Sequence, residues 1–169
     1  MEKHLNYFDK GLLMKSIAKY RSLLNEVFSS QNFASMATLR NDGIHSCLVA
    51  FSVSEDMKTI FLCTPRTTRK YANLLENSTV SMLIHNSSNQ AADLKNAVAV
   101  TVAGKAQEVS KEDRQSARQS FLKKHPYMKD FVMAKNTALI TVYVTRYDIV
   151  THFQDVSILE IQNPLDATP

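Results

Sequence analysis

The sequence predicts a mainly β protein: a closed, six-stranded antiparallel barrel with helices packed outside it. Three observations predict this. Strand-like stretches follow one another through very short polar connectors, which implies antiparallel neighbours. Helical stretches interrupt the strands instead of alternating with them, which argues against a doubly wound parallel sheet. The strands are rich in valine, and closure would remove the exposed edges that such strands otherwise present.

The elements follow in order. Leu13, Ile17, Tyr20, Leu24, Val27 and Phe28 recur at three- and four-residue steps and predict an amphipathic helix over about 12–28. Strand period begins at Ala34-Ser35-Met36-Ala37-Thr38-Leu39. Asn41-Asp42-Gly43 is a tight connector, with Gly43 suited to a positive φ. A returning strand is expected over 44–53 and a third over 59–63, with the polar turn Ser54-Glu55-Asp56 between them. A short helix follows over 68–75, then a fourth strand over 79–85. Asn86 to Asp93 reads as a polar loop. Valine alternates with small residues from Val98 to Val102 inside a strand over 97–109, where Gly104 marks a bend or bulge. Ser110 is placed to cap a further helix, which must stop before Pro126 because His125 precedes a proline. Residues 138–148 form the last long strand, and 150–161 extend it or pair beside it. The 169 residues fit one domain, with the barrel over about 33–161.

Bulk properties narrow the function classes. A net charge of +4 is mild, and aromatics do not interleave with basic residues along a strand, so a small anionic ligand suits this chain better than nucleic acid. Cys47 and Cys63 lie in apolar strand-like runs and read as small buried hydrophobes, with no disulfide framework or metal spacing. The first residues show no apolar leader region, and no apolar run approaches a membrane span. The expected setting is therefore cytoplasmic and reducing. His45, His85, His125 and His152 show no ligand spacing, so no metal site is expected. With only Gly11, Gly43 and Gly104 available, neither a P-loop nor a dinucleotide fingerprint exists. No catalytic triad is visible, so an enzymatic role would rest on a cofactor.

The richest chemistry lies in Thr64-Pro65-Arg66-Thr67-Thr68-Arg69-Lys70. Hydroxyls and cations at a helix start suit a bound phosphate. Cations there oppose the helix dipole unless an anion sits among them. The residues alone leave two readings open, an anion site and a solvated helix start capped by threonine. Ser46 to Phe51 reads as core strand, or as a strand offering its backbone to the edge of a flat polar ring. Asn86, Ser87, Ser88, Asn89 and Gln90 read as an ordinary loop, or as donors to such a ring.

The ordered set Ala34-Ser35-Met36-Ala37-Thr38-Leu39, Asp42-Gly43-Ile44-His45, Val49-Ala50-Phe51, Thr59-Ile60-Phe61-Leu62-Cys63-Thr64, Thr68-Arg69-Lys70-Tyr71-Ala72-Asn73-Leu74 and Val80-Ser81-Met82-Leu83 resembles the pyridoxamine-phosphate-oxidase-like, FMN-binding split-barrel proteins. The resemblance implies a homodimer with FMN at the subunit interface. It assigns the flavin phosphate to Thr68, Arg69 and Lys70, and the ribityl chain and phosphate to Leu62, Cys63 and Thr64. The backbone of Leu48, Val49 and Ala50 would meet the isoalloxazine edge, with Asn86 and Ser87 near the ring. It implies an oxidoreductase passing electrons from a nicotinamide donor to a small molecule. The alternative is a non-catalytic flavin- or haem-binding barrel. The chain departs from true pyridoxamine-phosphate oxidases: no arginine follows Arg146, and Ser46 stands near where those enzymes place an arginine on the second strand. Oxidation of pyridoxamine phosphate is therefore not expected.

Overall fold

The computed structural model describes residues 10–41, 43–152 and 154–162, with side chains described from Ala18 onward. Among them are seven strands and five α-helices. The predicted order holds. Helix α1 spans Lys10–Ser30, and β1 (Phe33–Arg40), β2 (Gly43–Val53) and β3 (Thr59–Pro65) form the meander. Then come α2 (Arg69–Glu76), β4 (Thr79–His85), α3 (Asp93–Asn96), β5 (Ala99–Glu108) and α4 (Arg114–Lys124). A 3-10 turn (Pro126–Met128), α5 (Lys129–Met133), β6 (Thr137–Thr151) and β7 (Asp155–Glu160) complete the chain.

All strand pairs are antiparallel, in the order β3-β2-β1-β4-β5-β6-β7, and an additional β3–β6 ladder closes the first six into a barrel. β6 is long enough to serve two partners on one edge. Thr137 to Tyr143 pair with β3, and Arg146 to Thr151 pair with β7. The segment after Val150 thus lies beside β6 as a separate strand.

Alternation fills the barrel. Met36, Ile60, Leu62, Met82, Ile84, Val100, Val102, Val142 and Val144 are fully buried within one continuous core. Each such side chain contributes about 1.5–3 kcal/mol of hydrophobic stabilisation. α1 covers one end through Leu24, Val27 and Phe28; the Phe28 ring meets Phe51 edge-on at 6.2 Å and Tyr147 at 5.8 Å. The Leu13 and Ile17 side chains expected on the same face lie outside the described ones. α2 covers the opposite end, where Asn73 donates to the hydroxyl of Thr38 at 2.9 Å.

Several local expectations are corrected. Ser110 accepts from the Asp113 backbone at 3.1 Å and so closes the turn ahead of α4, whose N-cap is Asp113. α3 begins at the end of the segment read as a polar loop and runs over residues with no predicted element, its start organised by Asp93 accepting from the backbone of Ser88 and Gln90. α4 does stop before Pro126, at Lys124, as expected, and past Pro126 the chain turns helical again because proline is tolerated in a first helical turn. Gly104 does mark a bulge: the β5–β6 register shifts between Ala103 and Gly104. Gly43 has φ +119°, as its turn requires, while Asp42 lies outside the described residues.

Candidate functional site

The barrel is closed along only part of β2. β2 and β3 pair at three rungs, from Val53↔Ile60 to Phe51↔Leu62, and then part. β3 continues along β6 as far as Pro65↔Thr137, while Gly43 to Ala50 pair with β1 alone. Among the described residues no strand covers the outer edge of that half of β2, so its backbone donors and acceptors on that side face a cleft. A second apolar cluster lies beside the parting strands, where Phe121, Val132 and Leu139 pack with Cys63 and Ala50.

Across the cleft stands the start of α2. Thr68 is its N-cap, accepting from the Tyr71 backbone and donating to the carbonyl of Pro65 at 2.9 Å. Its hydroxyl oxygen lies 2.9 Å from that of Thr64, which is buried at the end of β3. Two hydroxyls are thus locked together where the chain turns from strand to helix. Arg69 and Lys70 occupy the first helical turn, which contains no acidic residue. The positive charge of Lys70 is felt at the Cys47 thiol on β2, which burial otherwise pushes up.

The predicted site residues therefore separate into two groups. Leu48, Val49, Ala50, Leu62, Cys63, Thr64, Thr68, Arg69 and Lys70 lie along β2 and β3 and at the start of α2. Leu48 is exposed, Ala50 half-buried, and Val49 and Leu62 point into the core. Burial pushes the Cys63 thiol up to about 12, against the opposing charge of Arg118 on α4. Asn86 and Ser87 stand two strands from β2, beyond β1 and at the end of β4. The Asn86 side-chain oxygen accepts from the Val98 backbone at 2.7 Å, and the Ser87 hydroxyl pairs with His85 Nδ1 at 2.7 Å. Both are engaged in holding the β4–β5 connection.

Sequence reasoning missed the network behind the helix start. Arg66, which the residues alone leave as part of either an anion site or a solvated helix start, is ion-paired with Glu108 of β5 and donates to the carbonyl of Lys135 at 3.1 Å. Glu108 also accepts from the Tyr71 hydroxyl at 2.8 Å and from Arg114 at 3.3 Å. The Glu108 carboxylate raises both the Tyr71 hydroxyl and the Arg66 guanidinium above their usual ranges. Arg66 is thus a structural tie, and the other two cations at the helix start are Arg69 and Lys70. A basic cluster followed by a lone Glu in a later strand was the only sequence signal.

Cofactor fit can be judged from these groups. The cleft offers a strand edge for a flat heterocycle, and two cations in the first turn of a helix for a phosphate, which is a donor set suited to FMN. No group of three or more His, Cys, Asp or Glu among the described residues is arranged to hold a metal ion.

A closed antiparallel barrel that opens beside a basic helix start defines a split-barrel class of protein. The sequence profile of the pyridoxamine 5'-phosphate oxidase family matches residues 21–150, and the chain belongs to that family. No curated protein matches the sequence. Among solved structures, the haem-binding protein of Mycobacterium smegmatis aligns with a TM-score of 0.71 at 20% identity, over 79% of this chain and 55% of that one. ChuZ of Campylobacter jejuni aligns with a TM-score of 0.71 at 15% identity, over 85% of this chain and 60% of its own. A FAD-binding protein from Mesorhizobium loti aligns with a TM-score of 0.61 at 8% identity, over 76% of this chain and 90% of that one. The chain thus spans little more than half the length of the first two. At these identities the likeness establishes the fold.

Proposed function

We propose that this protein binds FMN in the cleft between β2 and α2 and works as a flavin-dependent oxidoreductase on a small molecule, with a nicotinamide donor. One observation carries the reading: β2 loses its partner β3 beyond Phe51, and β3 leads at its far end into the Thr68-capped, basic start of α2. Phosphate would be held by Thr68, Arg69 and Lys70, with Leu62, Cys63 and Thr64 along the ribityl chain. The backbone of Leu48 to Ala50 would orient the ring. Asn86 and Ser87 would approach it only from across β1 or from a second copy. FMN, once bound, supplies hydride and electron transfer; the chain's residues bind it, orient it and exclude water.

A homodimer is part of the proposal. Leu48, Ser35 and Leu83 form one row on the outer face of the sheet, and Ile44 and Leu39 another. Leu48 is 64% exposed and Ile44 74%, an apolar surface beside the cleft that a second copy would bury. Non-catalytic flavin or haem binding is the second reading, favoured by the haem-binding protein among the structural relatives.

Absorbance of the purified protein tests the choice. The proposal predicts flavin bands after incubation with FMN, and bleaching on addition of NADH or NADPH under anaerobic conditions. Protein that stays colourless with FMN would refute it. A Soret band gained with haem, without flavin uptake, would establish the second reading instead.

A further inference from the structure

A cavity at the barrel end opposite α2 has no part in the flavin reading. It opens between the end of α1, the end of β2 and α4, with a volume of about 470 Å3. That is the size range of small-molecule sites. Phe28 and Val53 give it apolar wall, and Ser52 lies in its lining. Ser52 is 3% exposed and its hydroxyl is buried without a hydrogen-bond partner. Such a group costs about 1–3 kcal/mol until something completes it.

Two cationic residues, Lys123 and Lys124 at the end of α4, line the same cavity, against one acidic residue, Glu55. Lys124 is fixed in place. Its Nζ donates to the carbonyls of Phe28 at 2.7 Å and Gln31 at 2.6 Å, capping the end of α1, and stands 3.7 Å from the centre of the Phe51 ring. An ammonium carries three donors, so one remains beyond those two carbonyls. A held cation, a second cation beside it and a buried hydroxyl lacking a partner share a cavity with an aromatic wall. We propose that this cavity binds a small organic anion, a carboxylate or a phosphate monoester with an apolar body. Its charged group pairs with Lys123 and Lys124 and completes Ser52, while its body lies on Phe28 and Val53.

Benzoate, phenyl phosphate and benzyl alcohol share a ring and differ in headgroup, which makes them suitable probes. Titrated into the isotopically labelled whole protein, at least one of the two anions should shift the amide signals of residues 52–55 and 120–124 saturably, and benzyl alcohol should not. The tighter anion identifies the headgroup. Lys124→Ala also releases α1, so the diagnostic variants are Lys123→Ala, at an exposed residue, and Ser52→Ala. Each should keep the fold by circular dichroism and weaken the anion about three- to tenfold. Shifts of equal size from benzyl alcohol, unchanged affinity in both variants, or no saturable shift with either anion would overturn the proposal. In the last case water alone completes Ser52. FMN uptake is measured separately at the α2 cleft, so failure here leaves the flavin reading intact.

Discussion

Removing the Glu108 carboxylate should loosen the start of α2 although Glu108 is not assigned to ligand. Glu108 receives Arg66, Tyr71 and Arg114, and the ion-paired side chains are between 27% and 37% exposed. Fully buried, three charge-assisted bonds would each contribute about 1.5–3 kcal/mol. Partial exposure screens them toward about 0.5–1 kcal/mol apiece. Glu108→Ala should therefore cost about 1.5–3 kcal/mol, and Glu108→Gln, which keeps an acceptor for Tyr71, about 1 kcal/mol. For a chain of this length the alanine variant should lower Tm by roughly 4–10 °C. Urea melts of the two variants and of Tyr71→Phe, combined in a double-mutant cycle, give the Tyr71–Glu108 coupling, expected at about 0.5–1 kcal/mol. A loss below about 0.5 kcal/mol for Glu108→Ala would show that the network does not hold the helix start.

Other consequences are as specific. Gly104→Ala would place a Cβ 2.5 Å from the Tyr143 carbonyl oxygen and 2.8 Å from Val142 Cγ1, so a backbone shift costing about 1–3 kcal/mol is expected in denaturant melts. Burial lowers the Lys124 ammonium to about 8 from an ordinary 10.5, so the unfolded chain binds more protons between those values. Stability should then rise with pH across that window, relative to a Lys124→Met variant that lacks the group; parallel pH profiles of the two would contradict this. Cys63, pushed up to about 12 and buried, should resist thiol reagents in the native state, whereas half-buried Cys47 should react slowly and be protected by FMN. Mass spectrometry of alkylated protein reads both.

Much of the fold was legible in the sequence because its strands are half-buried and alternate. The β4 boundaries are those the period-two pattern predicts, and the meander connectors carry their own turn residues. Local patterns did not reveal the length of β6, whose upper half exchanges β3 for β7 as neighbour. Pro126 reads as a stop and α4 ends before it, but the 3-10 turn that Pro126 opens had no signal of its own. At the site, the helix start and its cap, Thr68, were legible as Thr-Arg-Lys after a strand. The split itself was not, because it depends on where β2 and β3 cease to pair, at Phe51 and Leu62. Nor was the role of Arg66, because its partner Glu108 lies 42 residues away. Composition marks charges; only the fold decides which are already spent on one another.

The central claim is that Thr68, Arg69 and Lys70 hold a flavin phosphate at the mouth of the cleft. The affinity ratio between FMN and riboflavin, which differ by that phosphate, tests it most directly. Two charge-assisted contacts predict that FMN binds at least about 100-fold tighter, a difference of about 2.7 kcal/mol. In the Arg69→Ala, Lys70→Ala double variant that ratio should fall to within about tenfold of unity, with riboflavin affinity unchanged. Equal affinities for FMN and riboflavin in the unaltered protein, or an unchanged ratio in the double variant, would contradict the account.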